Sequence, residues 1–167
     1  MALLAEDLAT VWSEGRQIFI CGNGGSAANA IHWANDFLYP VAKAGGRGMK
    51  MHALPANPST LTCVGNDLGY DRIFSRQLES QGEKGDLLIV LSGSGNSPNI
   101  LRALETARAL GMKSYAIVAF TGGKAKALAD VPVHSPIDDM QIAEDIQMNI
   151  CHMLLQALAE ARRKGEA

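Results

Sequence analysis

The chain has 167 residues, 47% hydrophobic and 19% charged, with a formal net charge of −2. That length and balance describe one domain over residues 1–167 with a sizeable core, and the near-neutral charge, with no run of five like charges, argues against nucleic acid or a membrane surface held by bulk electrostatics, though small local basic patches fit it. No apolar stretch approaches the roughly 18 residues of a membrane span, the amino terminus lacks a basic leader, and Cys21, Cys63 and Cys151 have neither disulfide-framework nor zinc-finger spacing, so a reducing, cytoplasmic setting is expected.

Short apolar runs alternate with longer helix-period segments, the signature of an α/β fold with a parallel sheet flanked by helices. The pattern predicts a helix over 3–14 that Gly15 breaks, the strand Gln17–Cys21, the turn Gly22-Asn23-Gly24-Gly25-Ser26, and a helix from Ala27 to about Leu38. A Gly-rich loop, Ala44–Gly48, leads to a strand at Met49–Leu54. Pro55 and Pro58 then bracket a turn into the segment Ser59–Gly65, and a helix is expected from about Asp71 to Ser80. Asp86–Leu91 is the clearest strand, nearly all apolar, as fits a strand covered on both faces. It runs into Ser92-Gly93-Ser94-Gly95-Asn96-Ser97-Pro98 and a helix from Pro98 to Leu110. Lys113–Phe120 and Val131–His134 supply two more strands, and Asp139–Arg163 reads as one long helix.

In an open parallel sheet, ligands sit at the carboxyl ends of the strands, and both glycine turns lie there. Ser92, Ser94 and Ser97 add hydroxyls to the free N–H groups of a helix start, which suits a phosphate monoester. The plain alternative is a helix cap with no ligand. Neither turn is a nucleotide fingerprint: the first lacks the Lys of a Walker A loop and meets only the loose G-x-G-x-x-A form, with no acid after the next strand.

His32 and Asp36 stand at i and i+4, on one helical face directly after the first turn. Glu144 and His152 on the last helix lie roughly 12 Å apart along its axis, too far to share one small ion from a single straight helix. If all four residues serve one kind of site, different subunits must contribute them, and the metal reading becomes an oligomer expectation. A packed histidine beside Trp33 and a solvated acidic face at Glu144 and Asp145 are the plain alternatives. His52 and His134, at strand ends, read as structural, and the cysteines as buried small residues, with Cys21 close to the first turn.

Five ordered motifs carry a resemblance that covers almost the whole chain: Cys21-Gly-Asn-Gly-Gly-Ser-Ala-Ala-Asn-Ala-Ile-His32, Cys63-Val-Gly-Asn-Asp67, Ile73-Phe-Ser-Arg76, Leu91-Ser-Gly-Ser-Gly-Asn-Ser97, and the last helix through His152. Together they resemble the sugar isomerase (SIS) domain family and, within it, the sedoheptulose-7-phosphate (phosphoheptose) isomerases. The resemblance implies a flavodoxin-like three-layer fold and a homotetramer with interfacial active sites. It also implies that Asn23, Gly24, Gly25 and Ser26 line the sugar, that Asn66 and Asp67 hold its hydroxyls, and that Ser92, Gly93, Ser94 and Ser97 take the phosphate. His32, Asp36, Glu144 and His152 fall where the family places its zinc ligands and acid–base pair, with Glu144 also facing substrate.

At two of these site positions the chain departs from what the resemblance leads one to expect: Asp36 replaces the family's usual Glu, and Glu144 its usual Gln. The segment Tyr39–Arg47 also does not reproduce the family's basic stretch, which leaves Lys43 and Arg47 as the cations there. The expected activity is aldose–ketose isomerisation of a sugar phosphate through an enediol, with Asp36 as base, His152 as acid and a divalent metal, zinc, polarising the carbonyl. The rival readings are a non-catalytic member that binds a partner protein such as a replication initiator, and a sugar-phosphate sensor. Asp36 and His152 favour the enzyme, because those partner-binding members lack the catalytic carboxylate and histidine.

Overall fold

Successive strand residues point to opposite faces of a sheet, and here both faces are covered. A computed structural model describes residues 1–39, 41 and 47–164. In chain order its elements are α1 (Ala2–Ser13), β1 (Gln17–Gly22), α2 (Gly25–Leu38), β2 (Lys50–Ala53), α3 (Pro58–Asp67), α4 (Ser75–Gln81), β3 (Leu87–Ser92), α5 (Pro98–Leu110), β4 (Lys113–Val118), α6 (Gly123–Leu128), β5 (Val131–His134) and α7 (Met140–Lys164). The strands pair in parallel as a 5-stranded sheet in the order β2-β1-β3-β4-β5, the flavodoxin-like arrangement expected.

Ile18 and Ile20 of β1, Ile89 and Leu91 of β3, and Tyr115 and Ile117 of β4 form one core with Leu4 and Leu8 of α1, Trp33 and Phe37 of α2, and Leu154 of α7. The residues between them, Phe19, Cys21, Leu88, Val90, Ala116 and Val118, pack the other way against Phe74, Leu78, Ile100, Leu104 and Ala125. This split explains why every residue of β3 is buried and why it reads as a continuous apolar run. Tyr115 bonds its hydroxyl to Asp7 Oδ2 at 2.5 Å, and Lys113 Nζ reaches the same oxygen at 2.6 Å, which ties α1 to β4. Burial first, then the Asp7 carboxylate, push the Tyr115 hydroxyl up, so it remains a donor.

Several expected boundaries shift for local reasons. Ser59–Gly65 belongs to α3, which Pro58 starts and the Asn57 side chain caps by accepting from Thr60 N at 3.1 Å. The helix expected from Asp71 is a 3-10 turn, Tyr70–Arg72, followed by α4. β4 ends at Val118, two residues early, because Ala119 N turns to Gly93 O and Phe120 takes a φ of +49°. His134 accepts from Lys126 Nζ at Nδ1, 3.0 Å away, so its Nε2–H donates to Phe120 O at 2.9 Å and holds that corner. His52 stacks on Phe19 with ring centroids 5.4 Å apart, and neither histidine approaches the cluster below. Most of the loop Ala44–Gly48, and Lys43 with it, lies outside the described residues.

Cys21 and Cys151 are buried but Cys63 is exposed, so the expectation of three buried cysteines fails at Cys63. Burial pushes the Cys21 thiol up, and burial together with the Asp36 carboxylate does the same at Cys151. One thiol per chain should therefore react quickly with an aromatic disulfide reagent in the native protein, and all 3 after denaturation. A second fast thiol would show that a buried cysteine is reachable.

Candidate active site

β1 and β3 are neighbours, yet the chain leaves β1 towards β2 and leaves β3 towards β4, in opposite directions. The carboxyl ends of these two strands are the switch point where ligands of open α/β sheets bind. α2 and α5 begin there, and the start of α7 closes the gap. The result is a hollow of about 90 Å³ bordered by Asn23, Ser26, Ser92, Gly93, Ser94, Ser97 and Glu144.

The serine loop is fixed from behind. Ser92 Oγ accepts from Gly95 N at 3.1 Å, Ser94 Oγ accepts from Asn96 N at 3.3 Å, and Asn96 Oδ1 accepts from Lys124 N at 3.1 Å. Ala125 N donates to Gly95 O at 2.9 Å, so the loop is bound to the first turn of α6. Ser97 stands at the N-cap of α5 but its side chain makes no capping bond. Capping therefore does not account for that hydroxyl, which weighs against the plain cap reading of the loop.

The first turn is equally constrained. A Cβ on Gly25 would lie 2.2 Å from Glu144 Oε2, so the Glu144 carboxylate rests against bare backbone. Asn23 is not simply a ligand-facing amide. Its Nδ2 donates to Asn99 Oδ1 at 2.9 Å, Asn99 Nδ2 donates back to Asn23 Oδ1 at 2.8 Å, and Tyr70 OH donates to the same oxygen at 3.2 Å. This pair locks the two turns together, and sequence reading missed both Asn99 and Tyr70. Asn66 and Asp67 do not line the hollow; both are exposed at the end of α3, with Asn66 Nδ2 donating to Asp67 Oδ1 at 2.8 Å and Cys63 Sγ to Asp67 Oδ2 at 3.6 Å.

Further along α2 and α7, His32, Asp36 and His152 converge, with one ligand atom of each within 4.8 Å of the others. Asp36 Oδ2 lies 3.2 Å from His32 Nε2 and 3.8 Å from His152 Nε2, and the two Nε2 atoms are 3.5 Å apart. Asn35 Nδ2 holds the other Asp36 oxygen at 3.1 Å. Two imidazole nitrogens and one carboxylate oxygen, with both histidines half open to solvent, fit a borderline divalent cation that keeps an open coordination position.

Within one chain, His32, Asp36 and His152 meet. Glu144, expected among the metal ligands, stands apart from them and borders the serine hollow instead. Eight residues along one straight helix keep Glu144 and His152 roughly 12 Å apart.

A buried polar seam sets α7 against α2. Asn29 Nδ2 donates to Glu144 O and to Gln147 Oε1, each at 3.0 Å, Trp33 Nε1 donates to Gln147 O at 3.3 Å, and Gln147 Nε2 donates to Ser26 Oγ at 3.1 Å. The seam fixes which face of α7 meets α2, and so where His152 points. Nothing in the local sequence distinguishes Asn29 or Gln147 from ordinary helix residues.

The model of the SIS domain matches residues 1–122. A phosphoheptose isomerase of Fusobacterium nucleatum is 36% identical over 159 residues, 93% of this chain and 79% of that protein. The chain belongs to the SIS domain family, among the phosphoheptose isomerases. A second relative, the phosphoheptose isomerase of Aliarcobacter butzleri, is 42% identical to this SIS domain over 144 residues, 86% of this chain and 76% of its own. The structure of a phosphoheptose isomerase from Francisella tularensis superposes on this SIS domain with a TM-score of 0.90 at 29% identity, covering 95% of this chain and 84% of that one. Among the described residues, no helix is long and apolar enough to cross a membrane.

Proposed function

We propose that this chain interconverts sedoheptulose 7-phosphate and glycero-manno-heptose 7-phosphate through an enediol, as an early step towards heptose-containing glycans. The observation that carries this reading is the placement of two unlike sites on the same two helices. The serine hollow opens at Ser26 and Glu144, and the acid–histidine cluster stands at His32 and His152, roughly 9–12 Å further along the helix axes. A ligand with a phosphate at one end of a carbon chain and a carbonyl near the other spans such a pair. The relatives named for phosphoheptose isomerisation point to the same substrate.

In the ketose-to-aldose direction, Asp36 takes a proton from the hydroxymethyl carbon beside the carbonyl. The electrons of that C–H bond form the C=C bond, and the carbonyl oxygen takes a proton from His152 to give the enediol. Loss of the hydroxyl proton at the first carbon and return of a proton to the second complete the aldose. His32, Asp36 and His152 would hold a divalent ion such as zinc, which would supply Lewis-acid polarisation of the substrate carbonyl. Glu144 accepts hydrogen bonds from sugar hydroxyls, and Ser92, Ser94 and Ser97 hold the phosphate, whose binding energy positions the reacting carbons. The Asn23–Asn99 pair keeps the two turns in register for one ligand.

The assembly fitting this reading is a homotetramer with the active sites at subunit interfaces. Ile31 and Leu38, apolar and exposed on the helix that carries His32 and Asp36, are suited to burial against another copy.

Incubation with sedoheptulose 7-phosphate in deuterated water, with and without zinc, tests the proposal by NMR. Aldose product carrying deuterium at the carbon that receives the proton is expected, and His152→Ala should abolish its formation without unfolding the chain. A folded, metal-loaded protein that binds the sugar phosphate and returns it unchanged would overturn the reading in favour of a sensor. Ser94→Ala should raise KM by about tenfold, the scale of one hydrogen bond to a charged group, with kcat less affected. An unchanged KM would remove Ser94 from phosphate binding.

A further inference from the structure

The amino ends of the strands, opposite the proposed isomerase site, carry a second concentration of charge. Arg16 precedes β1 and Lys50 opens β2, and the pairing of Gln17 with Lys50 sets the two cations side by side. At the end of α7, the Arg162 guanidinium carbon lies 4.3 Å from the centre of the Trp12 ring, and Trp12 Nε1 donates to Arg47 O at 2.8 Å. These contacts gather Arg16, Arg47, Lys50 and Arg162 around one hollow of about 260 Å³ that no carboxylate lines among the described residues.

The donors are only partly used. Lys50 Nζ donates to Gly15 O at 2.7 Å and Arg16 Nη1 to Lys84 O at 3.2 Å, which leaves each side chain further N–H groups. Among the described residues, neither of them nor Arg47 forms an ion pair. A neighbouring hollow that shares Arg16 and Lys50 does contain Glu14, Glu83 and Asp86. Asp86, however, is engaged by Gln17 N and Glu83 N, each at 2.9 Å, and serves the turn before β3. Arg16, Arg47 and Lys50 border a cavity that no carboxylate lines among the described residues, in a chain whose net charge is −2. Their mutual repulsion is relieved by an anion between them.

We propose that this hollow is an anion site, separate from the proposed isomerase site, for a small phosphorylated ligand at the level of a phosphate monoester or a pyrophosphate. The guanidinium forks of Arg16 and Arg47 and the Lys50 ammonium group, brought together from two separate segments, suit an anion with several oxygens directed outwards; a single carboxylate engages one fork. The proposal does not depend on the isomerase activity.

Calorimetric titration of the full chain with pyrophosphate, and separately with inorganic phosphate, tests it. Ser94→Ala removes a contact at the serine loop, while Arg47→Ala and Lys50→Gln each remove one cation here. Arg47→Ala keeps the backbone oxygen that Trp12 uses, and circular dichroism confirms the folding of each variant independently of turnover. Arg47→Ala and Lys50→Gln should each weaken pyrophosphate binding by about tenfold or more, leave isomerase kcat and KM unchanged, and do so equally in a Ser94→Ala background. Tighter binding of pyrophosphate than of phosphate assigns the diphosphate class, and equal binding the monoester class. Either cation variant binding pyrophosphate as the unaltered chain does, or Ser94→Ala alone abolishing all anion binding, overturns the proposal.

Discussion

Asp36→Asn is expected to lower kcat by about a hundred- to ten-thousandfold, the range attributed to a positioned general base. Asp36 is buried between two imidazoles, with Oδ2 at 3.2 and 3.8 Å from their Nε2 atoms. The amide keeps the shape of the carboxylate and can still accept from Asn35, so the core around Trp33 and Phe37 is undisturbed. It cannot accept a proton from carbon, and it removes the negative charge that lets two imidazoles and a cation share this space. Zinc content, measured by emission spectrometry, should fall together with turnover, while the melting temperature of the metal-free protein changes little. Asp36→Glu provides the complementary test. It keeps the carboxylate and should retain a measurable part of the activity, with the reacting oxygen one methylene further out. Turnover by Asp36→Asn equal to that of the unaltered chain would remove Asp36 from both roles.

Gly95→Ala should be the most damaging small change in the serine loop. Gly95 has a φ of +65°, and a Cβ built on it would lie 2.0 Å from Gly122 O, a backbone atom that no rotamer change can move aside. The same residue accepts from Ala125 N and donates to Ser92 Oγ, so displacing it detaches the loop from α6 as well. A loss of about 2–3 kcal/mol in unfolding free energy is expected from the combined strain and broken contacts, together with at least a tenfold rise in KM as the phosphate donors lose their alignment. Gly15→Ala separates the two causes. Gly15 shares the φ of +65°, but the nearest atom to a Cβ there is Lys50 Nζ at 3.9 Å, an ordinary contact, so only the left-handed backbone penalises it. That variant should lose about 1–2 kcal/mol, measured by urea unfolding, with KM unchanged. Equal stabilities for the two variants would mean that Gly95 and Gly122 are not in contact.

Features that depend on near neighbours in the chain were legible in the residues themselves. The apolar run of β3 marks a strand covered on both sides, and both glycine turns come directly after strands, where parallel sheets bind ligands. The i, i+4 spacing of His32 and Asp36 places them on one face of α2 wherever that helix packs. The same arithmetic along α7 separates Glu144 from His152. α6, at 6 residues, is too short to display a period, and that is why the reading passed over it.

What the chain does not announce is which distant residues meet. His152 reaches His32 and Asp36 only because α7 lies beside α2, aligned by Gln147 and Asn29, and neither amide differs in composition from many that stay in solvent. Asn23 looks like a free ligand-facing side chain until the parallel pairing of β1 with β3 brings Asn99, at the start of α5, against it. Arg16, Arg47, Lys50 and Arg162 are unremarkable singly and become one basic hollow because the start of the sheet, Trp12 and the end of α7 converge. Local periodicity and turn chemistry thus determine the elements and where the sheet must bind. The side-chain sets that perform chemistry are decided by packing, since they join positions more than a hundred residues apart through contacts that no short window of sequence contains.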